Sequence, residues 1–437
     1  MKKNFRTGVL SGLFGAILLF AVTLTVYALV DGKALDDGTK NQYEATNDGN
    51  DSYGTEKQSQ DEGVEQDNIE TQSIKDEKSY DKIIEKLELL EMIVDNYYLE
   101  NVDDKVFEDG IYKGFMSSLE DPYSTYFTKD EYKALVESSS GIYHGIGATV
   151  SQDVKTGIIT IVKPFAGGPA FKAGLLPGDI IFKVEEEEVT GLDLSEVVSR
   201  MKGKEGTEVH ISIMREGEVE PLEFTITRRE IKVPTIEYQM LKDKIGYIVI
   251  SEFDEITISQ FKNAMTKLEE DGMKGLVVDV RNNPGGLLHS VVRILDRLLP
   301  KGLIVYTEDK YGNRLEEKAI DSKRCNLPIA VLINGNSASA SEIFAGALQD
   351  YEAATVVGTT SFGKGIVQKV IPLTDGTAVK LTISKYFTPK GRNIHGTGIA
   401  PDIEVELAEE LRQKVTIELE EDNQLQEAIK VVKDKIK

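Results

Sequence analysis

Two short segments carry the residue types from which acyl-transfer chemistry can be built. One is Ser-Ala-Ser-Ala-Ser-Glu (Ser337–Glu342); the other, Ser-Phe-Gly-Lys-Gly (Ser361–Gly365), sets Lys364 between two glycines, 25 residues beyond Ser339. A serine hydroxyl attacks a carbonyl only when a base takes its proton, and an amine can be that base only while neutral. Burial disfavours the charged form of lysine and so prepares it for the role. If Ser339 and Lys364 meet, the chain is a hydrolase that uses no histidine.

Each motif also has an ordinary reading. Serines cap helices routinely, and lysines are usually exposed. What favours chemistry is the pairing. Gly363 and Gly365 let the backbone bend so that the lysine can turn inward, and Gln368, four residues on, would share a face of an extended strand with it and hold the amine. Among His144, His210, His289 and His395, only His289, just after Asn-Asn-Pro-Gly-Gly, is placed as a rival base. An oxyanion hole would come from the turn Val280–Leu288, through the N–H of Gly285 or Gly286 at a helix start, together with the N–H of Ala340 beside the nucleophile.

These segments need a scaffold, and the flanking pattern supplies one. Ile245–Ser251, Gly275–Arg281 and Ile329–Gly335 are apolar runs suited to a sheet covered on both faces, with helices expected over Thr257–Glu270, Gly286–Leu299 and from about Ser341. Strand-to-helix turns of such an α/β body are where active sites assemble. Upstream, residues 79–138 read as helical, with an apolar stripe over Ile83–Tyr98 and a helix start at Thr128.

The N-terminus has a different character. Lys2, Lys3 and Arg6 precede 24 uncharged residues, Thr7–Val30, long enough to span a bilayer with the N-terminus inside. A cleaved signal peptide is the alternative, but its apolar region is usually shorter. The stretch from Asp31 to Tyr80 holds 14 acids and 5 bases and almost no large aliphatic residues, so it reads as a disordered tether. Of the formal charge of −23, −17 remains on residues 81–437, which argues against a nucleic-acid partner. The single cysteine, Cys325, has no disulfide partner and no metal-type spacing, and reads as a buried small hydrophobe.

Between the helical region and the α/β body, residues 141–233 form short β-rich runs broken by glycines. Three segments there, Gly145–Ala148 (Gly-Ile-Gly-Ala), Gly-Pro-Ala-Phe-Lys-Ala-Gly-Leu-Leu-Pro-Gly-Asp ending at Asp179, and the run from Lys202 to Arg215, resemble a bacterial, protease-associated PDZ domain. In such a module the N–H groups of Gly145, Ile146, Gly147 and Ala148 would receive a peptide's terminal carboxylate, and the peptide would add a strand beside residues 146–150.

Taken in order, Asp121–Tyr132, the PDZ-like module, Ile245–Glu255, Val278–Leu288, Asn334–Asp350, Thr359–Gln368 and Lys385–Ile403 resemble the carboxy-terminal processing, or tail-specific, proteases over about residues 80–405. The resemblance implies Ser339 as nucleophile, Lys364 as general base and Gln368 as its support, with no metal or cofactor. It implies a multidomain α/β chain in which a PDZ-like domain is inserted before a crotonase/ClpP-like serine-protease core. The expected divisions are 1–30 head and transmembrane helix, 31–78 acidic tether, 79–138 helical arm, 139–233 PDZ-like domain, 234–405 protease core and 406–437 helical tail. The expectation is a membrane-anchored extracytoplasmic endopeptidase acting on polypeptides with apolar C-terminal tails, with the helical arm offering a surface for a homodimer. The alternatives are an inactive scaffold that only binds tails, an esterase using the same pair, and secretion after signal-peptide cleavage.

Overall fold

The computed structural model describes residues 80–320, 325–412, 414 and 417–436. The expected membrane span and acidic tether lie outside these residues. Helix α1 (Asp81–Tyr97) and the start of α2 (Asp104–Ser117), through Gly110, belong to one compact unit, and Ile111 onward belongs to another. None of the side chains of α1 is buried.

In the second unit, a turn at Asp121 leads into β1 (Thr125–Phe127) and α3 (Lys129–Ser140). Thr128 caps α3 through a capping box with Glu131, as the sequence predicts, and Gly141 ends it in the left-handed region. The β-rich domain follows: β2 (Ile142–Gly145), β3 (Ala148–Gln152), β4 (Ile159–Pro164), α4 (Pro169–Ala173), β5 (Ile180–Val184), β6 (Glu187–Glu188), α5 (Leu194–Met201), β7 (Glu208–Met214), β8 (Leu222–Thr227) and β9 (Arg229–Lys232). Its main sheet runs β3-β4-β5-β7-β8, leaving β3 at an edge, and β2 pairs with β9. The Pro-Gly-Asp turn has a clear structural purpose. Asp179, almost fully buried, takes the Leu176 N–H at 2.7 Å and two bonds of 2.7 Å from the Arg215 guanidinium. A buried carboxylate is tolerated only when paired this fully.

The chain leaves and re-enters this domain at one point, where the Val233 N–H donates to the Gly141 carbonyl at 2.9 Å. Gln260 clamps the exit: its carbonyl accepts from the N–H groups of Thr235 and Ile236 at 3.0 and 3.1 Å, and its amide donates to Val233 O at 2.8 Å.

The α/β body comprises β10 (Ile236–Met240), β11 (Ile245–Ile250), α6 (Glu255–Glu270), β12 (Gly275–Asp279), α7 (Leu288–Leu298), β13 (Gly302–Asp309), β14 (Arg314–Ala319), β15 (Ile329–Ile333), α8 (Ala340–Asp350), β16 (Thr355–Gly358), β17 (Ile366–Pro372), β18 (Ala378–Phe387), β19 (Ile403–Glu404) and α9 (Asn423–Lys435). One sheet runs β10-β11-β12-β15-β16-β19 and is parallel from β11 onward. Every residue of β12 and β15 is buried, as their unbroken apolar runs predict. A second sheet joins β1, β18, β13 and β14, with β17 beside β18.

The C-terminal segment, expected as a helical tail, forms α9 and covers the parallel sheet. In α9, Leu425, Ala428 and Val432 are buried in one cluster with Val277, Ala330 and Leu332 of the parallel sheet. Arg281 anchors the entry to α9, bonding Asp279 at 2.6 Å and Asp422 at 2.7 Å. The amphipathic pattern of this segment is that of a helix covering the sheet face.

Candidate active site

Strand β15 ends at Ile333, and the chain turns through Ser337–Ser339 into α8. Ser339 is the N-cap of that helix and has φ 54° and ψ −113°, a sparsely populated positive-φ conformation that costs a non-glycine residue roughly 1–3 kcal/mol. Such strain persists only where surrounding contacts impose it, and here they are visible. Buried Asn283 donates its amide to Ile250 O at 2.8 Å, while its backbone carbonyl accepts from Ser341 Oγ at 2.9 Å and from the Ala338 N–H at 3.1 Å. The Asn-Asn-Pro-Gly-Gly loop is thereby stitched to the serine turn.

The same loop decides between the two glycines. The Gly285 N–H already donates to Asn283 Oδ1 at 2.8 Å. The N–H groups of Gly286 and Ala340 have no acceptor among the described residues. Gly286, Ser339 and Ala340 line one narrow cleft with Leu288, Ile343, Ile366, Val367, Gln368 and Tyr386. Gly285 is needed for close approach instead, since a Cβ there would stand 2.8 Å from Ser339 Cβ and from the Ala338 carbonyl. The expected helix start at Gly286 is also corrected: α7 begins at Leu288, because Gly285 and Gly286 adopt φ of 114° and 135° and Gly286 bridges to Phe253. The helix dipole therefore acts at Ala340, the first residue of α8.

Lys364 is buried, 3% exposed, in the loop before β17. Burial above all, and then the charge of Lys380, pull its amine down to about 8, against the opposing pull of Glu342 and Asp121. Its Nζ lies 4.7 Å from the centre of the Tyr123 ring. Gln368 is buried too, but not for the reason expected. Lys364 precedes the strand, and a bulge between Val367 and Gln368 breaks the two-residue alternation, so a shared strand face does not relate them. The Gln368 amide donates to Thr382 Oγ1 at 3.4 Å.

Two residues that sequence reasoning left unassigned tie the serine and lysine segments together. The Glu342 carboxylate accepts from the N–H groups of Ser339 and Lys364, both at 2.8 Å on Oε2, and from Gly363 N–H and Ser361 Oγ at 2.7 and 2.6 Å on Oε1. Burial pushes this carboxyl up, and those donors oppose the shift. The hydroxyl of buried Tyr386 donates toward the carbonyls of both Ser339, at 3.0 Å, and Lys364. One carboxylate and one phenol thus hold the two backbones in a common frame. The capping-box spacing Ser339–Glu342 was the available signal for Glu342; nothing local marks Tyr386.

The histidines stand aside. The His289 ring pairs with Glu255 and is half exposed, and it does not line the Ser339 cleft. His144, His210 and His395 are exposed, although the His395 backbone packs on Gly365, where a Cβ would come within 2.5 Å of its nitrogen. Cys325 is half-buried against the core, as a small hydrophobe would be.

In the β-rich domain, an apolar groove of about 230 Å³ runs between edge strand β3 and α5, lined by Tyr143, Ile146, Ala148, Val150, Phe165, Val198, Met201 and Lys202. The carbonyls of Ile146 and Gly147 are fixed by the N–H groups of Ala170 and Phe165 at 2.8 and 2.9 Å, while the N–H groups of Ile146 and Gly147 have no acceptor among the described residues. Gly145 is taken up in pairing with Arg229, so it shapes the loop rather than offering a donor. Burial pushes the phenol of Tyr143, at the rim of this groove, up to about 12.

The profile of peptidase family S41 matches residues 244–405, that of the PDZ domain 144–226, and that of the N-terminal domain of activating protease CtpB 45–131. Carboxy-terminal processing protease CtpB of Bacillus subtilis (strain 168) is 40% identical over 329 residues, covering 74% of this chain and 68% of that protein. The chain belongs to the carboxy-terminal processing proteases. A second relative, the carboxy-terminal-processing protease of Bartonella bacilliformis, is 40% identical over 339 residues, 76% of each chain. A putative S41 protease from Bacteroides fragilis NCTC 9343 has the same fold, with a TM-score of 0.50 at 18% identity over 74% of this chain and 90% of its own. The protein is a multidomain α/β serine peptidase with a PDZ domain, and the narrow cleft at Ser339 lies in its S41 core.

Proposed function

We propose that this peptidase cleaves polypeptides by a serine–lysine pair, with Ser339 as nucleophile and Lys364 as general base. Ser339 Oγ attacks the scissile carbonyl as its proton passes to neutral Lys364 Nζ. The N–H groups of Ala340 and Gly286 receive the developing oxyanion, and Gln368 keeps the amine in position. The Lys364 ammonium then protonates the departing amine, leaving an acyl-enzyme on Ser339. Water, deprotonated by the same amine, releases the acyl group. The observation that carries this reading is a deeply buried lysine whose backbone shares the Glu342 carboxylate with a strained serine at a helix N-terminus.

The groove between β3 and α5 captures apolar C-terminal tails. A tail's last residues would pair with the free edge of β3 and its carboxylate would meet the N–H groups of Ile146 and Gly147. The apolar run Thr7–Val30 anchors the chain in the cell membrane, with residues 31–78 as tether and the catalytic body outside the cytoplasm. The exposed apolar face of α1 is the surface through which two copies would pair. The test is cleavage of a denatured protein by the chain lacking residues 1–78. Ser339→Ala should abolish cleavage and leave tail binding intact; retained cleavage moves the nucleophile elsewhere.

A further inference from the structure

Lys364 is not the only lysine buried at this site. Lys380, on β18, is 7% exposed and forms no ion pair within 4.0 Å among the described residues. Strand register explains its presence, for Lys380 stands opposite Val370 of β17 and Thr125 of β1, while Thr382, two residues on, stands opposite Gln368. Successive alternate residues of β18 therefore point to the same side.

The segment from Asp121 to Phe127 closes that side, and it treats the two lysines alike. Tyr123 presents its ring to Lys364 at 4.7 Å, and Phe127 presents its ring to Lys380 at 5.3 Å. Between them stands one carboxylate, Asp121. Burial pushes its carboxyl up, but bonds from Ser124, Thr382 and the Tyr123 N–H outweigh that and hold it below the usual range, so it stays ionised. Glu342, the other acid facing Lys364, is engaged by four donors. Tyr386 offers its hydroxyl to the Lys364 carbonyl, not to the amine. Two buried amines thus face one ionised carboxylate, itself held by Ser124 and the Tyr123 N–H. Both cannot comfortably carry a proton, because a like charge at short range in a poorly solvated site disfavours ionisation.

We propose that Lys380 is a positioning residue for catalysis: its buried ammonium keeps the Lys364 amine unprotonated and so ready to take the Ser339 proton. The proposal rests on Lys364 being the base. Burial disfavours the charge on both amines and Asp121 draws both toward it, so the assignment of the charge to Lys380 follows from depth: Lys364 is the more buried of the two. Removing the Lys380 charge would make protonation of Lys364 easier, raise the pH at which the amine becomes neutral, and leave less active enzyme near neutrality.

Two readouts on the chain lacking residues 1–78 test this. The first is kcat/KM against pH on a denatured protein substrate. The second is the acetylation rate of Lys364 by trace acetic anhydride against pH, mapped by mass spectrometry, which follows the free amine without requiring turnover. In the wild type, the acid limb of activity and the Lys364 labelling midpoint should coincide. In Lys380→Met both should move up by about one pH unit, so that kcat/KM at pH 7 falls about tenfold and recovers at pH 10. Lys380→Arg, which keeps the charge, should stay near the wild-type midpoint. Lys380→Gln is measured beside the methionine variant so that misfolding of one leaves the other to decide. An unmoved labelling midpoint in the folded neutral variants overturns the proposal and leaves Lys364 as base. A wild-type labelling midpoint far from the acid limb overturns the base assignment itself.

Discussion

Glu342→Gln is the perturbation that separates a frame for catalysis from a mere helix cap. The carboxylate takes four donors, two on each oxygen. The amide would do best with its carbonyl facing the Ser339 and Lys364 N–H groups and its NH₂ facing Ser361 and Gly363. Ser361 can accept as well as donate, although its oxygen already accepts from the Ile399 N–H at 2.7 Å. The Gly363 N–H cannot, so one buried backbone donor faces another donor. An orphaned buried donor costs about 1–3 kcal/mol, and exchanging charge-assisted for neutral bonds at the retained contacts adds roughly 1 kcal/mol. Relief of the buried charge offsets part of this, leaving an expected loss of about 2–3 kcal/mol. For a core of this size that corresponds to a fall in Tm of roughly 4–10 °C. Differential scanning calorimetry suits the measurement because the chain has no tryptophan to follow by fluorescence. The core endotherm should fall while that of the PDZ domain stays. Activity should fall with it, chiefly in kcat, because the two reacting segments lose their common anchor. A variant that melts within 1 °C of wild type and cleaves at full rate would refute the reasoning.

Other expectations follow from the same geometry. Burial first, and then Lys380, depress the Lys364 amine to about 8 from 10.5, so below pH 8 the folded state carries a charge it disfavours by roughly 3 kcal/mol. Lys364→Met should therefore be inactive yet more stable by about 2–3 kcal/mol at pH 7, and denaturation at several pH values should show that gain fading between about 8 and 10.5, where the unfolded wild type still binds the proton and the folded one has released it. Val198→Asp should weaken capture of an apolar C-terminal peptide at least tenfold in a fluorescence-anisotropy titration, since it puts a charge into the groove beside β3. Amidating the peptide's terminus should weaken it as well. Asp179→Asn should lower the PDZ-domain endotherm alone, by about 3 kcal/mol, through the uncompensated Arg215 charge.

How much of this was legible in the chain differs from residue to residue. The turn at Ser339 and the inward, buried Lys364 were legible because short glycine- and serine-rich runs interrupt apolar strands, whereas the strand face expected to join Gln368 to Lys364 is removed by the bulge at Val367 and Gln368; both β12 and β15 announce their burial by composition. The PDZ signature was readable because Asp179 sits in a turn whose chemistry is local. Glu342 was half visible, as the third residue after an N-cap serine. Tyr386 and Lys380 were not, because their meaning arises only when β18 lies beside β17, a pairing that no residue spacing encodes. Asp121 opens a turn whose partner lies far along the chain: Ser124, which bonds Asp121, also accepts from the Thr382 N–H at 3.0 Å. The start of α7 was misjudged because positive φ at Gly285 and Gly286 serves close approach to Ser339 and Phe253, not helix entry. The helical tail expected over 406–437 came without what it covers, and the answer depends on Gly275 leaving room for Val432.

The most direct test of the account is a fluorophosphonate label mapped by mass spectrometry on the chain lacking residues 1–78. The account predicts a single adduct on Ser339, formed faster as pH rises through about 8, and at least a hundredfold slower in Lys364→Arg, whose guanidinium cannot accept a proton. An adduct on another serine, or a Lys364→Arg protein labelled on Ser339 at the wild-type rate, would contradict it.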